Sequence, residues 1–141
     1  MKLKYWLILI VFLLMGCKNV TINKNSFITK IDSKMNNMLI VSDQELENYY
    51  NIDLTKFKDY IFKVSDDNPT NIYILVLPTD KKEATKEIDK FFSKKAELSN
   101  DTDKERIKAR YESNFGEYLF YIVSNNNKEI YKEMNEFIKN E

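Results

Sequence analysis

Lys82, Lys86, Lys90 and Lys94 recur at four-residue intervals. On a helix that spacing stacks four ammonium groups along one ridge. Such a ridge can meet anionic lipid headgroups or surface polymers. It can equally be a solvated face, because Glu83 and Glu87 stand beside the lysines and each helical ion pair contributes only roughly 0.3–0.5 kcal/mol. Asp66, Asp67 and Asn68 gather hard oxygens of the kind calcium prefers. They lie in a loop that also contains Pro69 and lack the spaced ligands of a helix–loop–helix calcium site, so a solvated turn accounts for them as well. The remaining reactive group is Cys17, the only cysteine of the chain.

What is missing narrows the chemistry further. Histidine is absent, and the two glycines are Gly16 and Gly116. The commonest general base and zinc ligand, nucleophiles activated by histidine, paired-cysteine sites and glycine-rich phosphate loops are all excluded. The spacing of a serine–lysine nucleophile pair is also absent. Catalysis would therefore have to rest on carboxylates alone, as in a hydrolase with paired acids. No acidic pair stands out from the amphipathic background, and no cofactor or metal is expected.

Cys17 closes an unusual N-terminal stretch. Lys2 and Lys4 precede the uninterrupted apolar run Tyr5–Met15, which has the length of a signal-peptide core and is short for a membrane span of about 20 residues. Leu14, Gly16 and Cys17 then resemble the bacterial lipobox, in which the cysteine is acylated after cleavage; Met15 is larger than the residue usual at its position. One acyl chain holds a protein only marginally, at about 0.8 kcal/mol per buried methylene, whereas two or more hold it stably. The competing reading is an uncleaved anchor helix with an incidental thiol. The expected organisation is a lipoprotein signal peptide over residues 1–16, the lipidated cysteine and a tether over 17–25, and one domain over 26–141. Without the leader the chain has 20 basic and 22 acidic residues. That balance argues against sequence-independent nucleic-acid binding.

The elements that must position these groups follow from periodicity. Ile28, Ile31, Met35, Met38 and Leu39 predict a helix over roughly 26–39. Ser42 and Glu45 form a capping box for a short helix through Leu46, Tyr49 and Tyr50. Residues 58–65 alternate as a strand, placed near a sheet edge because Lys63 needs solvent. Ile72–Pro78 is apolar on both faces, as a central strand is. Asp80 and Glu83 open the helix that carries the lysine ridge, with Ala84, Ile88, Phe91 and Phe92 on its apolar side. Ile107, Tyr111 and Phe115 predict a further helix, capped by Asp101 or Thr102 and ended by Gly116. Tyr118–Ser124 forms the third strand, and a last helix carries Ile130, Met134, Phe137 and Ile138.

This series gives an α+β fold: a small three-stranded, mostly antiparallel sheet packed against helices in the order α-α-β-β-α-α-β-α. If so small a sheet is bare on one face, Tyr73 or Tyr121 would line a groove for a ligand; otherwise both are core.

The segments Tyr49–Asp53 (YYNID), Asp59–Ser65 (DYIFKVS), Asn71–Leu77 (NIYILVL) and Gly116–Ser124 (GEYLFYIVS) resemble, as a set, the bacterial lipoproteins grouped as domain of unknown function 4358. The resemblance spans roughly Met38 to Ile138 and departs from the family pattern at Asn71, where an acid is common. It brings no catalytic residues. It implies a lipid-anchored domain on the outer, extracytoplasmic face of the cell membrane. With the exclusions above, the expected role is a non-catalytic binding or interaction module of the cell envelope. Its expected partners are the membrane, through Cys17, and an envelope protein or an anionic surface polymer; a carboxylate-only extracytoplasmic hydrolase is the alternative.

Overall fold

The computed structural model describes residues 22–140. The leader, the lipobox and Cys17 lie outside them. Five α-helices and five strands follow in the order α1 (Lys24–Asp32), β1 (Met38–Ile40), α2 (Asp43–Asn48), β2 (Phe57–Ser65), β3 (Ile72–Pro78), α3 (Lys81–Glu97), α4 (Asp101–Lys108), β4 (Tyr111–Phe115), β5 (Tyr118–Val123) and α5 (Asn127–Lys139). A single 3-10 turn, Leu54–Lys56, leads into β2. Residues 22–25 belong to the folded body: Ile22 is buried, and the Asn23 side chain caps α1 by accepting the Ser26 N–H at 3.2 Å.

The strands form one antiparallel sheet in the order β1-β2-β3-β5-β4. Five strands replace the expected three, and each added strand takes over the end of a predicted helix. Helix α1 stops at Asp32, and Met38–Ile40 pairs with β2. Helix α4 stops at Lys108, and Tyr111–Phe115 pairs with β5. Gly116 ends no helix; at φ 59° it opens the two-residue turn between Phe115 and Tyr118. A glycine at positive φ in the first central position is the arrangement of a type II′ hairpin.

The sheet is covered on both faces, which explains why β3 and β5 are apolar throughout. Ile72, Ile74 and Val76 of β3 meet α2, α3 and α4 through Leu46, Ala84, Ile88, Phe91, Phe92 and Ile107. Tyr73 and Leu75 point the other way, toward Phe27 and Ile31 of α1 and Ile130, Met134 and Ile138 of α5. Phe27 stands edge-on to Phe115 and Phe120, with ring centroids 5.6 and 5.8 Å apart, a favoured aromatic geometry. Tyr73 and Tyr121 are core residues, not the walls of a groove.

Lys63 also departs from expectation. Strand β2 is interior, because β1 covers its outer edge with Ile40 opposite Lys63. The ammonium is buried and pairs with Asp32 at the end of α1. A carboxylate supplied by a neighbouring helix, not water, is what allows a lysine here.

Candidate functional site

Helix α3 places the lysine ridge. Asp80 caps it by accepting the Glu83 N–H at 2.9 Å, and its apolar stripe lies on the sheet. Along the outer side Lys86 pairs with Glu83 at 3.3 Å, Lys90 with Glu87 at 2.8 Å and Lys94 with Glu97 at 3.8 Å. Lys94 also lies over the Tyr49 ring, 5.3 Å from its centroid. Lys82 is exposed and forms no ion pair among the described residues. The ridge is thus largely neutralised by its own helix, and its attraction to an anionic surface is correspondingly weak.

Lys90 holds a turn together with Glu87. Glu87 is a buried carboxylate that accepts the Asp53 N–H at 2.8 Å, while Lys90 donates to the Asn51 carbonyl at 3.2 Å. Asn51 adopts φ 57°, a conformation asparagine tolerates better than most residues. Tyr50, one position earlier, packs its ring 4.4 Å from that of Phe91. The YYNID segment is therefore bolted to α3. Sequence reasoning sees Glu87 only as a neighbour of lysines; its burial comes from the chain folding over it.

In the Asp66–Asn68 loop the side-chain oxygens of Asp67 and Asn68 are spent internally. Asn37 donates to Asp67 at 2.6 Å, and Asn68 accepts from the Thr70 hydroxyl at 2.7 Å and the Thr70 N–H at 3.2 Å. Among the described residues no cluster of three or more histidine, cysteine or acidic groups converges on a metal position. The loop is a structural turn.

The feature best placed to bind lies at the β1 edge. A cleft of about 340 Å³ opens between β1, the end of α2, the loop after β2 and α3, with Leu39, Ile40, Glu45, Tyr50, Asp66 and Lys95 among its walls. Leu39 and Ile40 are 55% and 66% exposed, and Tyr49 and Leu98, at the ends of α2 and α3, are exposed as well. Burial pushes the Lys95 ammonium below the ordinary lysine range, although Glu45 partly opposes this, and pushes the Tyr50 phenol up to about 12. Lys95 makes no ion pair among the described residues. Glu45 is committed elsewhere, accepting the Ser42 N–H at 3.0 Å and its hydroxyl at 2.9 Å.

No described helix is long and apolar enough to cross a membrane. The chain matches no protein-family model, no curated protein and no solved structure. The resemblance drawn from its motifs rests on those motifs alone.

Proposed function

We propose that the chain is an acyl-anchored lipoprotein of the bacterial envelope, held to the extracytoplasmic face of the membrane through Cys17, and that its folded body works by binding a partner. The observation that carries this reading is the run from Leu14 to Cys17 directly after a basic start and an apolar core of signal-peptide length. The position of the folded body is in keeping with it. Ile22 is buried five residues after Cys17, so an extended link holds it within about 18 Å of the acylated residue. Binding is favoured over a carboxylate-only hydrolase by the cleft beside β1, where the exposed apolar side chains of Leu39 and Ile40 stand beside the Lys95 ammonium. An envelope protein suits such a surface better than an anionic polymer, because the lysine ridge is paired with its own acids.

Mass spectrometry of membrane-bound protein tests the anchor. The expected product begins at an acylated Cys17 and, having lost Trp6, shows no tryptophan emission. Cys17→Ala is expected to retain the leader and that emission. A bare thiol, or residues 1–16 still attached in the unaltered chain, overturns the proposal.

A further inference from the structure

We infer that the outer edge of β1 docks an extended peptide segment bearing a carboxylate, which pairs with the backbone of Met38 and Ile40 while its carboxylate meets Lys95. The inference deepens the binding role proposed above and rests on it.

The hydrogen-bond parity of β1 supplies the first argument. Val41 donates its N–H to the Phe62 carbonyl at 2.9 Å, and the Asn37 carbonyl accepts the Asp66 N–H at 2.9 Å. These residues therefore face β2. In an antiparallel ladder alternate residues face the same way, so Leu39 also faces β2 while Met38 and Ile40 turn both backbone groups outward. Met38 and Ile40 thus present two N–H and two C=O groups to the outer edge, where no further strand lies among the described residues.

The second argument is the contrast between the two sheet edges. Natural edges are blunted with charge, proline or bulges that discourage further pairing. At the opposite edge β4 reads Tyr-Glu-Ser-Asn-Phe, and Glu112 pairs with Arg110 at 2.9 Å. Strand β1 is blunted by its length of three residues alone: it reads Met-Leu-Ile, without a charge or a proline, and leaves two large apolar side chains in solvent.

The third argument selects the partner's chemistry. Lys95 lies in the same cleft, partly desolvated and without an ion pair among the described residues: Glu45, the acid whose charge it feels, caps α2, and Asp66, the other carboxylate on the cleft wall, does not pair with it. A segment that adds a strand satisfies the backbone groups, its apolar side chains cover Leu39 and Ile40, and a carboxylate completes the charge at Lys95.

The test uses the full chain, nitrogen-15 labelled in detergent micelles, and two acetylated hexapeptides of alternating threonine and valine. One ends in a free carboxylate and the other in an amide. Titration is expected to shift the Met38 and Ile40 amide signals, with the acid binding at least fivefold tighter than the amide. Lys95→Met is expected to remove that preference while the Met38 and Ile40 shifts remain. Absence of binding, shifts centred elsewhere, or equal affinity of the unaltered chain for both peptides overturns the inference. So does Ile40 amide protection that grows with protein concentration without peptide, which would make the occupant a second copy. The comparison of acid with amide needs no variant to fold, and the state of Cys17 is read separately by mass, so anchoring and docking can fail independently.

Discussion

Lys63 and Asp32 form an ion pair under helix α1, and the same carboxylate accepts the Tyr73 hydroxyl at 2.7 Å. At the other end of the helix Lys24 donates to Asp59 at 2.6 Å. The two clasps match in length: eight steps of helix cover about 12 Å and four steps of strand about 13 Å. Helix α1 is therefore fastened along β2 at both ends. Its clasping charges oppose its own dipole, with a cation at the start and an acid at the end. They are placed for the sheet, at a local cost to the helix.

Asp32→Ala should lower unfolding free energy by about 2–4 kcal/mol, because it strands a buried ammonium and a buried hydroxyl together. The lower part of that range allows for the third of the Asp32 side chain that stays in water. Asp32→Asn combined with Lys63→Met keeps an acceptor for Tyr73 and should recover part of the loss. Urea denaturation reads both, and an Asp32→Ala chain as stable as the original would show that the clasp contributes nothing.

Glu87 should matter more than any other acid of α3. Glu87→Ala leaves the Asp53 N–H without its acceptor and Lys90 without its partner, for an expected loss of about 2 kcal/mol. Glu87→Gln keeps the acceptor and should cost about half as much. Equal urea midpoints for the Ala and Gln variants would refute the bolt between the 51–53 turn and α3.

Gly116→Ala forces a side chain into a left-handed backbone and should destabilise the β4–β5 hairpin by about 1–2 kcal/mol. Gly116→Asn should be milder, since asparagine tolerates positive φ. Thermal melts that rank Asn below Ala would contradict the turn geometry.

Alkaline pH should weaken the fold from about pH 10 upward. Burial, followed for each by a nearby acid or tyrosine, pushes the Tyr50 and Tyr60 phenols up to about 12, and burial with the Asp32 bond pushes Tyr73 higher still. The native state then holds protons that the unfolded chain has released, so stability is intact below the ordinary tyrosine value near 10 and is lost as pH rises above it. Lys95 acts in the opposite sense: its lowered folded value adds stability as pH rises toward the ordinary lysine range. Burial raises Tyr118 and Tyr121 as well, so with five tyrosines against one lysine the net slope should be downward, and Tyr73 phenolate absorbance should appear only with unfolding. A urea midpoint that is flat or rising between pH 10 and 12 would contradict this assignment.

Two helix starts are legible from the chain itself, whereas α4 is capped by Asn100, one residue before the expected Asp101. Ser42 and Glu45 form their reciprocal capping box, and Asp80 opens α3 as its position suggests. Strands β2, β3 and β5 are legible because long β-branched and aromatic runs leave little else to form. Strands β1 and β4 are not. Met38 and Leu39 fall at helical spacing from Ile31 and Met35, and Tyr111 and Phe115 at helical spacing from Ile107. Both strands are decided by pairing with β2 and β5, which local periodicity does not carry. The alternation of Tyr111, Ser113 and Phe115 before Gly116-Glu117 was the available hairpin signal. The cleft was illegible for the same reason, since it exists only once Met38–Ile40 is a strand. Lys95 stood one residue beside the lysine ridge and carried no mark of its own.

The fastening of α1 has a mechanical consequence. A load applied from the N-terminal side reaches Ile22 and then α1 before any strand of the sheet. It must part Lys24 from Asp59 first and Asp32 from Lys63 only after the intervening turns have peeled away. Helix α1 would thus serve as a sacrificial element, yielding stepwise under tension while the hydrogen-bonded sheet behind it keeps its shape.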